Sequence, residues 1–379
     1  MATPRILLMA ALVWPMMASG QPDSESGGGD LRSYDPIPYD MVENWADSFA
    51  RPGFSWGGNS GVHIESSDRI LIVQRGETRL PDPVPAEYAG APGTLGWNVI
   101  RGQGRTWQNL LYVINSDGEI QEVWDHWDHL WHDTDGPGPH RLRVSPYDPE
   151  RRIWVVEETG HVIYIFSRDG QQLLQTLGEK NVPGTDPGHF GKPQDVAFLP
   201  DGHVLVADGL ENARVVILDG SGQYVGEFGE RGEEPGQFLS VHGIALGPDH
   251  RVYIVDRDAM NIQVFRHLNP DEQGAVPRFE FESRWTGPDF PLDIIVNEDY
   301  AWVTDIRPPK VHQFDLDGKR VYTWLLPTEG PNAWLEMHSF AVDQDGSLYG
   351  TDNQYARPQK LVPRADADPR HLIRPQYIP

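Results

Sequence analysis

The sequence predicts an all-β protein, a six-bladed β-propeller made from one repeated unit. Three observations lead there. A pattern of four short alternating strands recurs along most of the 379 residues. Gly 39 and Pro 33 supply many tight turns without a collagen period. Helical periodicity is weak throughout, so a helical solenoid fits poorly. Hydrophobic residues at 39%, with 13 each of Trp, Tyr and Phe, are enough to bury a core and exclude global disorder.

Residues 1–20 read as a secretory signal peptide. Arg5 precedes an apolar run from Ile6 to Met17, and Ala18-Ser19-Gly20 offers small residues for cleavage. The run is too short to span a bilayer. Export to the periplasm or medium is therefore expected, with no membrane anchor after cleavage. Residues 21–40 read as a polar, flexible leader. The propeller is expected over 41–365. Its clearest copy runs from Lys192 to Gly229, where KPQDVAFLPDG, HVLVADGLENARVVILDGSG and QYVGEFG give four strands and two turns. Further copies are Ser240–Phe265, Gly138–Gly178 and Phe290–Leu325. A shortened copy spans Glu336–Val362, and a degenerate one combines Ser60–Arg75 with residues 110–124. Each copy is a blade, at roughly 50 residues apiece. The last copy lacks an obvious fourth strand, which Met41–Phe49 could supply to close the ring. Residues 366–379 form a tail.

Charge and cysteine content narrow the function. Lys+Arg 31 against Asp+Glu 56 gives −25, which repels phosphate backbones and argues against nucleic acid as a partner. With no Cys, there are no disulfides, thiol catalysis or thiolate-held metals. No glycine-rich phosphate loop or nucleophile elbow is present. A monomer acting on a small molecule is the expectation.

The first strand of each blade lines the central channel, so one repeat position forms a ring about the axis. Read across the copies, that position holds Ser60, His140, Gln194, His242, Leu292 and His338. Histidine occupies alternate blades, at spacings of 102 and 96 residues. Three imidazoles converging from blades about 120° apart in a six-fold ring, with a position left open, are the ligand set of a catalytic Zn2+. Arg75 and Arg257 follow the second strands of their blades and could emerge beside the ring, where a guanidinium binds a carboxylate at two points. The segment WDHWDHLWHD at 124–133 holds three further histidines, but its tryptophans point to a packed loop.

These residues carry a resemblance. GPHRLRV, VPGTDPGHFGKPQDVAF, ADGLENARVV, PGQFLSVHGIAL and VDRDAMNIQVF resemble NHL-repeat propellers, and among them the peptidyl-α-hydroxyglycine α-amidating lyases and their bacterial relatives. The likeness covers about residues 60–355 and is densest from 137 to 266. It implies a six-bladed fold, a zinc ion held by His140, His242 and His338, and substrate contacts from Arg75 and Arg257. It implies cleavage of an N-acyl-α-hydroxyglycine, or a related α-hydroxy acid derivative, to an amide and glyoxylate. Two positions depart from the family. Leu210 stands where the family has a catalytic Tyr, and Ser339 replaces an Asp that binds structural Ca2+. Glu211 or Glu336 could replace the lost base. Two alternatives follow: a non-catalytic NHL propeller that binds a protein or small ligand, and a lyase-like protein that has lost turnover.

Overall fold

A computed structural model describes residues 34–379 other than Gln273. The expected signal peptide and most of the leader lie outside the described residues. Six sheets of four antiparallel strands form six blades, and a seventh sheet has three strands. In chain order the innermost strands are Asn59–Ser66, Pro139–Val144, Pro193–Phe198, Val241–Gly247, Pro291–Val296 and Ser339–Val342. Each lies against the next around the ring, and the sixth lies against the first. Between blades the core consists of Val, Ile, Leu, Ala and aromatic side chains, contributed by strands buried on both faces.

The turns do what the repeat predicts. The Asp-Gly pairs close hairpins, with Gly118, Gly170, Gly202, Gly318 and Gly346 at positive φ. In blades 3 to 6 the aspartate that ends the second strand pins the approach to the innermost strand of its own blade, whereas Glu157 of blade 2 accepts from the Thr159 and Gly160 amides that follow it. Asp256 accepts hydrogen bonds from the Leu239 and Ser240 amides at 2.8–3.2 Å. Asp305 accepts from Asp289 and Phe290, Asp352 from Leu335 and Glu336, and Asp208 from Gly191. In blade 1 the amide oxygen of Gln74 serves the Gly57 N–H at 3.0 Å.

The ring closes with the N-terminal segment, as expected, but two residues earlier. Tyr39–Met41 is the outer strand of blade 6, paired with Arg357–Pro363. Met41–Phe49 instead runs on to blade 1, where Trp45 and Phe49 pack with Trp56 and Tyr112. The leader is thus structured from Asp35 onward, where that residue bridges to Trp324. Tyr39 is the better closing residue because its ring is buried against Trp324 and its hydroxyl accepts from the Ile373 amide at 2.7 Å. Residues 373–379, expected as a tail, cross one end of the channel. Gln376 bonds to the Leu246 carbonyl and the Val296 amide, stitching blade 4 to blade 5.

Blade 1 carries the fold's main insertion. Glu77–Arg79, the one-turn helix Trp97–Ile100 and Arg105–Thr106 lie between the blade's second and third strands, and the two inserted strands complete a three-stranded sheet with Phe54–Trp56, which precedes the blade's first strand. The loop at 124–133 is a short 3-10 helix, Asp125–Trp131, and it is packed as expected. Trp124 and Trp131 are buried, and His126 and Trp127 both reach the Gly170 carbonyl, at 3.0 and 2.7 Å.

Candidate metal centre

Local backbone geometry builds the axial ring. In blades 1 to 4 the innermost strand slips register by one residue against its neighbour, and the unpaired residue is the axial one: Ser60, His140, Gln194 and His242. Blade 5 slips across Leu292 and Asp293, and in blade 6 the strand begins just after His338. Bulges of this kind re-aim a side chain and free backbone groups from the ladder. Here the imidazoles turn to the axis and the carbonyls of the other three blades become available.

The hydrogen bonds use both consequences. His140 Nδ1 meets the Gln194 carbonyl, His242 Nδ1 the Leu292 carbonyl and His338 Nδ1 the Ser60 carbonyl, each at 2.7 Å. Each histidine therefore bonds to the axial residue of the next blade. A carbonyl only accepts, so Nδ1 of His140 and of His242 carries the hydrogen and their Nε2 keeps its lone pair; His338 Nδ1 is shared between the Ser60 carbonyl and Arg141 Nη1, also at 2.7 Å. The three residues are almost wholly buried. One ligand nitrogen from each lies within 4.8 Å of the others, and His140 Nε2 is 3.3 Å from His242 Nε2. Burial, foremost, pushes all three well below the ordinary histidine range, so they are neutral near pH 7. Neutral imidazoles with facing lone pairs repel one another unless a cation lies between them. The donor set fits a metal ion.

The next layer excludes a second one. Arg141, fully buried, donates to the Ser60 carbonyl at 2.8 Å and the Leu292 carbonyl at 3.2 Å. Its guanidinium also lies 3.8–4.0 Å from Asp293 and Asp195. Arg143 then pairs with both aspartates at 2.8–3.2 Å. Gly61 leaves room for this, since a Cβ there would sit 3.1 Å from the Arg141 Cα. Ser339 lies in the same region with its hydroxyl unpartnered. An internal guanidinium already takes the axial carbonyls, so these residues do not fit a structural calcium ion.

Of the two predicted arginines, the structure brings Arg75 closer to the ring. Its charge acts on all three histidines, and its Nη2 lies 3.5 Å from Glu158. Arg257 acts on His242, but its guanidinium holds Asp258 at 2.9 Å beside the Phe290 ring. Glu211 pairs with Lys192 at 2.8 Å. Glu336 is buried, with its pKa pushed up to about 8 chiefly by desolvation. The carboxylate beside the ring is Glu158, which sequence reasoning missed. Its Oε2 lies 3.7 Å from His140 Nε2 and accepts from Gln194 Nε2 at 3.0 Å. The signal was present in the repeat. Glu158 is the residue after a second strand, the same position that holds Arg75 and Arg257.

Comparisons with known proteins agree with this picture. The NHL repeat family model matches residues 190–218, the inner three strands of blade 3. A Caenorhabditis elegans protein described as a probable peptidyl-alpha-hydroxyglycine alpha-amidating lyase, pgal-1, is 35% identical over 130 residues, which is 34% of this chain and 36% of that protein. Peptidyl-alpha-hydroxyglycine alpha-amidating lyase 1 of Drosophila melanogaster is 29% identical over 258 residues, 62% of this chain and 46% of the relative. The chain thus spans less than half the length of these two relatives. A solved structure described as a gluconolactonase shares the fold, with a TM-score of 0.53 at 14% identity, over 86% of this chain and 93% of that one. The chain is an NHL-repeat propeller, lyase-like in that it is similar to the peptidyl-α-hydroxyglycine α-amidating lyases.

Proposed function

We propose that this chain is an exported, monomeric, zinc-dependent carbon–nitrogen lyase acting on an N-acyl-α-hydroxyglycine or a related α-hydroxy acid derivative. The observation that carries the reading is the convergence of three buried imidazoles, with one ligand nitrogen from each within 4.8 Å of the others and each Nδ1 2.7 Å from a carbonyl of the next blade. A zinc ion held by His140, His242 and His338 supplies a Lewis acid for the substrate's hydroxyl oxygen. Arg75, with its remaining N–H groups, holds the substrate carboxylate. Glu158 Oε2 takes the hydroxyl proton, in the place of the tyrosine that Leu210 replaces. The C–O bond becomes the carbonyl of glyoxylate as the C–N bond breaks. The nitrogen keeps the electron pair and receives the proton, giving the amide. Burial of the ring keeps water from competing with these contacts.

Leu210 favours a second reading, in which the metal centre persists and turnover has been lost. Elemental analysis of the purified protein, followed by glyoxylate release from an N-acyl-α-hydroxyglycine, separates the two. About one zinc per chain with release that His242→Ala and Glu158→Gln both abolish supports the lyase. Zinc at that level without release supports the second reading. Neither zinc nor release leaves the non-catalytic binding propeller.

A further inference from the structure

The insertion in blade 1 roofs a cleft of about 530 Å³ on the Arg75 side of the ring. Arg75, Arg101 and Arg105 line it, and Asp135 is the only acidic residue among its described lining. This is unusual in a chain where 56 acidic residues outnumber 31 basic ones. Arg105 is held in place by neutral hydrogen-bond partners, and Glu157 is the one carboxylate whose charge acts on it. Arg105 donates to the Gly136 and Pro137 carbonyls at 2.5 and 3.3 Å and lies 4.1 Å above the Trp107 ring. Burial and the like charge of Arg75 push Arg105 down from its ordinary value, so the two guanidiniums are close enough to repel. An anion between them relieves that repulsion.

One carboxylate engages Arg75 in the proposed reaction. We infer that the cleft takes substrates with a second carboxylate, carried on the acyl side and bound by Arg101 and Arg105. The inference rests on the lyase reading for which bond is cleaved, and on the cleft itself for the second charge. The insertion would thus set specificity for acidic acyl groups while the propeller axis supplies the chemistry.

The test compares N-succinyl-α-hydroxyglycine with its neutral isostere, N-succinamoyl-α-hydroxyglycine. The preference read from kcat/KM for glyoxylate release should be about ten-fold for the diacid at low salt, as expected for one added charge-assisted contact. It should fall toward one in Arg101→Gln/Arg105→Gln and be largely kept in Arg101→Lys/Arg105→Lys, which preserves charge. A parallel arm titrates the non-cleavable N-succinylglycine and N-succinamoylglycine calorimetrically into the same three proteins. No glyoxylate from either substrate, with the diacid still binding about ten-fold tighter to wild type and to the Lys variant but not to the Gln variant, ends the lyase reading and upholds the acidic cleft. Equal binding of the two analogues to wild type, or a preference that survives the Gln pair, overturns the cleft.

Discussion

Two carbonyl oxygens decide the state of two axial histidines. Because the Gln194 and Leu292 oxygens accept from Nδ1, His140 and His242 keep Nε2 unprotonated, while His338 Nδ1 is shared between the Ser60 carbonyl and Arg141. A fourth histidine is depressed by burial as well, but away from the ring. His63 lines the chamber at the opposite end of the channel, with its Nε2 lacking a partner. Burial first, then the charges of Arg143 and Arg151, push its pKa down to about 3. A depressed folded pKa means that stability is full above the unfolded value of 6.5 and is lost as pH falls toward 3. At pH 5 the loss should reach about 2 kcal/mol relative to pH 8. His63→Leu should flatten the curve of melting temperature between pH 6.5 and pH 4, and an unchanged slope would reject the assignment. At this scale the axial trio was legible, because the repeat places one residue type at one position. Glu158 and the Arg141–Arg143 layer were not. Their neighbours come from other blades, and register alone does not say which side chains meet across the axis.

The elements owe their placement to carboxylates more than to strand propensity. A strand-ending Asp ties down the loop that feeds the innermost strand, and that strand carries the axial residue on its bulge. Asp256 does this for His242. Asp256→Ala should leave the Leu239 and Ser240 amides without their acceptor and cost about 2–4 kcal/mol in urea unfolding. Asp256→Asn, which keeps one acceptor oxygen, should cost less. Equal losses would mean that charge rather than hydrogen bonding matters. The recurring Asp was visible in the sequence at the end of the second strand in four of the blades. Its partner amides were not, since they lie fifteen to seventeen residues upstream, before the innermost strand. The three-stranded sheet was missed because Phe54–Trp56, Glu77–Arg79 and Arg105–Thr106 are too short for any alternation to register.

For the molecule as a whole, closure is the decisive event. Tyr39–Met41 covers the edge of Arg357–Pro363, and without it that strand presents unpaired N–H and C=O groups to solvent. A chain beginning at Val42 should melt on the order of 10 °C below one beginning at Tyr34, since each lost kcal/mol shifts a protein of this size by a few degrees. Coincident melting curves would place closure elsewhere. The sequence implied that the N-terminus closes the ring, because the last repeat is one strand short. It left the choice of strand to burial: Tyr39 fits against Trp324, whereas Trp45 and Phe49 fit better beside Trp56.

The arginine and aspartate layer beneath the histidines has a kinetic consequence. Arg141 and the Arg143–Asp195–Asp293 cluster fill the channel on the side facing residues 373–379. In the proposed reaction, substrate then reaches the ring from the side of the cleft that Arg75 lines. For the proposed cleavage, an incoming substrate and a departing glyoxylate contend for the same guanidinium and cannot be bound together. Glyoxylate should therefore inhibit competitively, raising KM and leaving kcat untouched. A noncompetitive pattern in initial-rate measurements would require a second site for glyoxylate.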